Sequence, residues 1–398
     1  MLAVASLVVV VVVLVCATAA RVAAAADNTS HGDEPPNPRI ELYTMGPGND
    51  LFARFGHAAL CVVSEVATEP VSVGPVGQTG RCFNFGTTDF SQPLSLAWDA
   101  LRGRARFWVS VKSLERMVAG YELHDRTIYR QVLPLSRQAA KELADELEHD
   151  ALPENSHYTY HHFRENCSTR VRDHIDVTSR GALRAGSDAS LGMSYRELVR
   201  QGFGSSTIVL ATTELLVGRY LEHRPTIWEG MFLPDVLRQQ VERNLGVAPE
   251  TIYRRVAAPT PGNPRSGQYA IAIVALVLVL LESLLLAVGR PLVRRVVMVC
   301  VGGMLGFAAL LVDALPLVSG LSELRVNEIA LVLLPTDLAL LWLGSRRLLP
   351  YLFLRFGLLA VVVVLSLAGI LVQPLYPAVL LVTAALLPLF VVAARRAT

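Results

Sequence analysis

Apolar residues are not spread evenly along the 398-residue chain; they gather at its two ends. Leu2 to Ala26 is an apolar run closing on small residues, the pattern of a signal peptide or signal anchor, with alanines from Ala17 to Ala26 offering cleavage points. From Gln268 onward, apolar stretches recur at about 268–288, 293–313, 328–345, 352–373 and 376–393, each near the length that crosses a bilayer as a helix. Between these ends, residues 27–258 have the mixed composition of a folded extracytoplasmic domain, and the Pro- and Gly-rich stretch 259–267 reads as a linker to the membrane region 268–398. Within the domain, Ala58–Val63 and Cys82–Phe85 are strand-like. Ser136–Asp150 shows apolar spacing of three and four behind a serine that can cap a helix, and a further helix is expected to start near Asn166. The pattern predicts an α+β domain followed by an all-α bundle of about five transmembrane helices.

Charge sets the orientation of those spans. Arg290, Arg294 and Arg295 follow the first; Arg346, Arg347 and Arg355 lie around the join of the third and fourth; Arg395 and Arg396 follow the last. The alternate loops hold Asp313, Glu323, Arg325 and Glu328 in one case and almost no charge in the other. The positive-inside rule puts the arginine loops in the cytoplasm and the mixed domain outside, in agreement with the amino-terminal signal. Hydrophobic residues make up 52% of the chain and the formal net charge is only +2, with no long Lys/Arg run, so a nucleic-acid partner is not expected. Inside the spans, Glu282 and Asp337 are costly residues: Glu282 is close enough to an end to reach headgroups, Asp337 is deeper, and either is able to pair within the bundle.

Five cysteines, Cys16, Cys61, Cys82, Cys167 and Cys300, contain no CxxC pair, which removes zinc-ribbon and thioredoxin-like readings. Cys16 lacks the small preceding residue of a lipidation site, and a Cys61–Cys82 disulfide is left open. Cys167 stands apart. It follows Asn166 and precedes Ser168 and Thr169, all helix-starting residues, so it is expected in the first turn of a helix. There the macrodipole and unpaired N–H groups favour a thiolate and supply an oxyanion donor. A buried structural cysteine is the bland alternative. A nucleophilic thiol needs a base. His57, in Arg54-Phe-Gly-His-Ala-Ala-Leu, sits at the lip of a strand; His161 and His162 are nearer in sequence. A metal site from His157, His161, His162 and His174 has tolerable spacing but no accompanying carboxylate motif, so no metal or other cofactor is assigned.

At these residues a resemblance becomes specific. Leu42-Tyr-Thr-Met-Gly-Pro-Gly-Asn, Arg54-Phe-Gly-His-Ala-Ala-Leu, Phe83-Asn-Phe-Gly-Thr-Thr-Asp-Phe, Phe163-Arg-Glu-Asn-Cys-Ser-Thr-Arg, Tyr195-Arg-Glu-Leu and Met231-Phe-Leu-Pro-Asp resemble, in order, the Lnb N-terminal periplasmic domain family across nearly all of 38–245. That family takes its name from an apolipoprotein N-acyltransferase and is similar to permuted NlpC-type, papain-like enzymes. The resemblance implies a papain-like fold with Cys167 as nucleophile and His57, in preference to His161 or His162, as base. It also implies a bacterial inner-membrane, multi-pass enzyme with its catalytic domain on the periplasmic side. Its reaction would move an acyl chain from phospholipid, through a Cys167 thioester, to the N-terminal amine of a diacylglyceryl-cysteine lipoprotein.

Supporting roles follow by type. Asn84 is the first candidate to orient the histidine, with Asp89 behind it. Asn166 and Ser168 either shape the oxyanion hole or cap the helix. Arg54 and Arg164, with Arg102 and Arg104, are candidates for a lipid phosphate, set against solvated surface arginines. The competing readings are a phospholipase or thioesterase with the same Cys–His pair, a cell-wall peptidase, for which the spans give no reason, and a non-catalytic lipid-binding membrane module.

Overall fold

A computed structural model describes residues 38–64 and 79–397. The segment 1–26 read as a signal lies outside the described residues, as does the start of the domain. Strands β1 Pro38–Met45, β2 His57–Ser64, β3 Thr79–Thr87, β4 Arg106–Ser113, β5 Ile128–Val132, β6 His157–Thr159 and β7 Glu250–Tyr253 form one antiparallel sheet in the order β6-β4-β3-β2-β1-β5-β7. The helices of the same domain are α1 Pro93–Leu101, α2 Leu114–Leu123, α3 Arg137–Asp150, α4 Cys167–Thr178, α5 Tyr195–Gly202, α6 Thr207–Leu216, α7 Ile227–Gly230 and α8 Pro234–Leu245.

The period of two along each strand sorts side chains to two covered faces. Ile40, Leu42, Ala58, Leu60, Phe83 and Phe85 pack on Leu143 and Leu147 of α3, Val171 and Ile175 of α4, and Leu237 and Val241 of α8. The intervening Tyr43, Met45, Ala59, Cys61 and Cys82 pack on Leu114 and Met117 at the start of α2. Cys61 and Cys82 lie opposite each other on β2 and β3 and are joined by a disulfide, which answers the open pairing and accords with an oxidising compartment. The α3 helix starts as its sequence predicts, with the Ser136 hydroxyl accepting from the Ala139 N–H at 3.2 Å.

Beyond the domain, four helices among the described residues are long and apolar enough to cross a membrane: α9 Ser266–Ala287, α10 Pro291–Val318, α11 Ser345–Leu367 and α12 Tyr376–Arg395. The expected five helices are therefore four. The third apolar stretch is not an α-helix but a chain of 3₁₀ turns, Ser322–Leu324, Glu328–Leu331 and Pro335–Leu341. It nevertheless returns along α10. Its start is fixed beside the domain by Gly320 N–H donating to Leu101 O at 3.2 Å, and at the other end Arg295 donates to the carbonyls of Leu341 and Leu343. Backbone that leaves its carbonyls unpaired in this way is tolerated at membrane depth only when enclosed by protein. Close packing encloses it: Gly302 and Gly306 of α10 leave room for Leu340 and Leu338, where a Cβ would sit within 2.7 and 2.3 Å of them.

Asp337 pairs inside the bundle. It accepts from Arg355 Nε and Nη2, both at 2.8 Å, and from the Tyr351 hydroxyl at 2.6 Å. Arg355 consequently leaves the set of loop arginines: it lies within α11 and is fully buried. Glu282 is buried on α9 rather than reaching outward, and neither of its carboxylate oxygens has a hydrogen-bond partner. The remaining arginines stay at one end of the bundle, at Arg290, Arg295, Arg346 and Arg395.

The α+β domain docks on the opposite end through backbone and side-chain bonds. Gly218 N–H donates to Glu323 O and Arg219 N–H to Val326 O, both at 2.9 Å; Asn327 reaches the carbonyls of Leu215 and Leu216, and Gln373 that of Val217. Gly267 at the start of α9 packs directly on Leu210 and Ala211 of α6. The domain thus stands at the rim of the bundle and not on a loose tether.

Candidate functional site

The α4 helix starts at Cys167 because Asn166 caps it completely. The Asn166 side-chain oxygen accepts from the N–H groups of Ser168 and Thr169, both at 2.9 Å, and the Thr169 hydroxyl accepts from the Asn166 N–H at 2.8 Å. Arg170 N–H continues to Asn166 O. Of the first-turn donors, the Cys167 N–H is the one the cap does not take. The Asn166 amide is held from behind by donating to His162 O and Phe232 O, and the Ser168 hydroxyl donates to Met231 O at 2.7 Å. The Met231-Phe-Leu-Pro-Asp motif is thereby a buttress for the cysteine helix. Asn166 and Ser168, expected as caps or substrate contacts, have their side chains spent on capping and anchoring.

Three of the expected residues converge where β2 begins. The sulfur of Cys167 lies near the backbone N–H of Ala58, the residue that directly follows His57. His57 Nε2 lies 3.3 Å from the side-chain oxygen of Asn84 on β3. The Asn84 amide nitrogen donates to Cys82 O at 3.2 Å, which fixes which end of the amide faces the histidine. An amide oxygen only accepts, so Nε2 carries the proton and Nδ1 presents its lone pair. Asp89 does not stand behind Asn84: it is exposed and accepts from Ser91. The β3–β4 register shifts between Asn84 and Thr87, and in that bulge Gly86 adopts φ +84°, bringing backbone to within contact of the cysteine. A Cβ at Gly86 would lie 3.4 Å from the Cys167 Cβ and 3.8 Å from the Tyr158 hydroxyl.

Electrostatics depart from the sequence expectation. Burial pushes the Cys167 thiol up, against the opposing pull of the nearby backbone N–H groups of Ala58, Ser168 and Cys167 itself and of the Arg126 charge. Burial also lowers His57 to about 4, helped by the Arg126 charge and Lys112 and resisted by Asn84. Both groups are therefore neutral at rest, a thiol at Cys167 and an imidazole at His57. The helix start was expected to favour the thiolate; desolvation outweighs it.

The arginines expected at a lipid phosphate are not gathered at the cysteine. Arg54 lines a cavity of about 400 Å³ with Gly48, Asn49, Gly202 and Arg255, and its Nε is buried without a partner. Arg164 donates to the Tyr220 hydroxyl at 3.0 Å and to Ser322 Oγ at 2.9 Å, linking the loop before α4 to the bundle. Glu328, at the outer rim, accepts from the Gln373 N–H and lies 3.3 Å from Arg219.

The four histidines weighed as metal ligands do not meet. His157 contacts Ser156 and His174 contacts Asp150. His161 and His162 instead face Glu323, their ligand atoms lying within 4.8 Å of one another. The donor set does not suit an ion bound at Nε2 of His161. Its Nδ1 accepts from the Phe163 N–H at 3.2 Å, so its Nε2 carries hydrogen and turns an N–H, not a lone pair, toward Glu323.

Sequence reasoning missed Arg126, Tyr121 and Tyr158. Arg126 and His57 both pack on the Tyr121 ring, at 4.8 and 6.0 Å. Nothing in the linear pattern separates Arg126 from other basic residues; the alternation Tyr158-Thr-Tyr160 beside the cysteine segment was a usable signal for Tyr158.

Searches of curated proteins and of solved structures find no match to the chain. The family comparison does: residues 28–201 match the Lnb N-terminal periplasmic domain, the family whose motifs the sequence resembles.

Proposed function

We propose that the chain is a lipoprotein N-acyltransferase of the bacterial inner membrane, with a permuted papain-like catalytic domain on the periplasmic side. The observation that carries this reading is the cysteine at a fully capped helix start, its sulfur against Ala58 N–H beside a histidine whose tautomer Asn84 sets, in a domain docked on a membrane-capable bundle. The match to an Lnb domain is what supports a lipoprotein as the acceptor.

In the first half-reaction the Cys167 sulfur attacks the ester carbonyl of a phospholipid as His57 Nδ1 takes the thiol proton. The negative charge on the carbonyl oxygen is met by the Cys167 N–H, the donor left free by the cap. Collapse breaks the acyl–oxygen bond; the departing alkoxide takes the proton from His57 and leaves as a lysophospholipid, with a thioester on Cys167. In the second half the neutral α-amine of a diacylglyceryl-cysteine lipoprotein attacks the thioester. The amine proton passes to His57 and then to the departing thiolate, which restores the neutral pair and forms the amide. No cofactor enters this scheme.

The test uses full-length protein in nanodiscs with a fluorescent-acyl phospholipid and a diacylated lipopeptide. An acyl adduct on Cys167, lost in Cys167→Ser and discharged by the lipopeptide amine, is expected. Discharge by water alone would convert the reading to a hydrolase, and absence of any adduct would end the cysteine mechanism.

A further inference from the structure

We propose that Arg126 holds the phosphodiester of the glycerophospholipid acyl donor beside Cys167. This rests on the acyl-transfer reading above and names the group that would select the donor.

Arg126 is buried, at 8% exposure, and among the described residues no carboxylate lies within ion-pair distance of it. Its Nε donates to Gly46 O at 2.9 Å, its guanidinium lies over the Tyr121 ring, and its Nη2 is buried with no partner. A guanidinium stays protonated in proteins and offers five donors in a planar fork. A buried permanent cation without a counter-charge is costly, and such groups are normally paired or bind an anion. The other buried arginines follow that rule: Arg196 pairs with Glu222 and Arg355 with Asp337. Arg126 is the exception: the charge of Asp50 reaches it only from beyond ion-pair distance, and Arg126 sits at the candidate site. Gly46 follows Met45, the strand partner of His57; Tyr121 is shared with His57; and the Arg126 charge acts on both the Cys167 thiol and the His57 ring.

A phosphodiester fits this vacancy in charge better than the oxyanion of the reaction does. The oxyanion exists only in passing, whereas a phosphodiester is a full anion throughout binding and matches the fork of a guanidinium. In a glycerophospholipid the scissile ester and the phosphate share one glycerol, so a phosphate on Arg126 would bring an acyl carbonyl toward the neighbouring thiol.

The experiment uses the full chain carrying Cys167→Ala in detergent micelles, with a dialkyl-ether phosphatidylglycerol, which cannot be cleaved, and the matching dialkylglycerol, which lacks phosphate. Binding is read by intrinsic fluorescence. Arg126→Gln is expected to weaken binding of the ether phospholipid by about tenfold or more while leaving the dialkylglycerol unchanged, as loss of a charged hydrogen bond predicts. Arg126→Lys, which keeps the charge, is expected to recover part of the loss. With the cysteine intact, the same substitution should raise KM for phosphatidylglycerol well beyond any change in KM for a neutral acyl ester, while any effect on kcat through the His57 and Cys167 electrostatics is common to both donors. Equal losses of binding for both lipids, an equal rise of KM with both donors, or binding of inorganic phosphate without binding of the ether lipid would each overturn the proposal. Because the ether lipids are not turned over, this outcome is separate from whether Cys167 forms a thioester.

Discussion

The neutral resting pair makes a quantitative prediction for the acid limb of the reaction. His57 is lowered to about 4 by burial and the Arg126 charge, so it remains a competent base far below the ordinary histidine range. The group must be deprotonated to take the thiol proton, so activity is retained above the lowered value and lost as pH falls through it. At pH 5 a group titrating near 4 is still about 90% neutral, whereas one at the ordinary 6.5 would be only about 3% neutral. Single-turnover acylation of Cys167 from a fluorescent phospholipid, quenched and read as hydroxylamine-labile label, should therefore fall by only about a tenth between pH 7 and pH 5. It should then drop about tenfold per unit below pH 4. A preformed thiolate–imidazolium pair would share that acid limb, so a second measurement is needed. Ultraviolet absorbance of the thiolate, compared with Cys167→Ser, should be absent at pH 7, because burial holds the thiol up. A fall in acylation of about twenty-fivefold between pH 7 and pH 5, as a group at 6.5 would give, with the protein still folded would refute the His57 assignment. A thiolate band at pH 7 would refute the neutral pair.

Three further perturbations test the framework. Gly86→Ala adds a Cβ at φ +84°, 3.4 Å from that of Cys167, and should cost about 1–2 kcal/mol of stability with a larger proportional loss of acylation, read by thermal unfolding and adduct formation. Asp337→Ala strands the buried Arg355 and should cost about 3–5 kcal/mol, seen as loss of folded protein in detergent, whereas Asp337→Leu with Arg355→Met should recover most of it. Replacing Cys61 and Cys82 by alanine opens a crosslink of sequence separation 21 and should cost about 3 kcal/mol without abolishing the Cys167 adduct in protein that remains folded.

How far the sequence carried depends on what each element asks of it. Ser136 and Asn166 were legible because a cap is a local device: one side chain reaches N–H groups two or three residues on, and the structure shows those bonds. The strands of His57 and Asn84 were legible as short strand-like runs, but that Asn84 reaches His57 depends on the pairing of β2 with β3, a contact across 27 residues. Arg126 was not legible at all, because what distinguishes it is a missing partner, and only the assembled structure shows which polar atoms go unpaired.

The third membrane stretch shows the limit most clearly, since its apolar count is right and its conformation is not. Hydropathy measures transfer out of water and is blind to whether backbone groups bond within the segment or to neighbours. Here Pro335 removes a donor, and the 3₁₀ turns leave Val332 O to accept from Arg355 Nη2 at 3.0 Å, an acceptor that a regular helix would have satisfied internally. The same guanidinium holds Asp337. Arg355 is thus the residue that makes the irregular segment affordable, and its charge, read from sequence as a cytoplasmic flank, belongs to the interior of the bundle. The charge pattern still gave a consistent orientation because the other arginines remain at one end. The segment they frame also starts at Gly320, bonded to Leu101 of the α+β domain. A broken span whose first turns carry Ser322, which bonds Arg164 of the loop leading to Cys167, connects the bundle to the candidate site more directly than the four regular helices do.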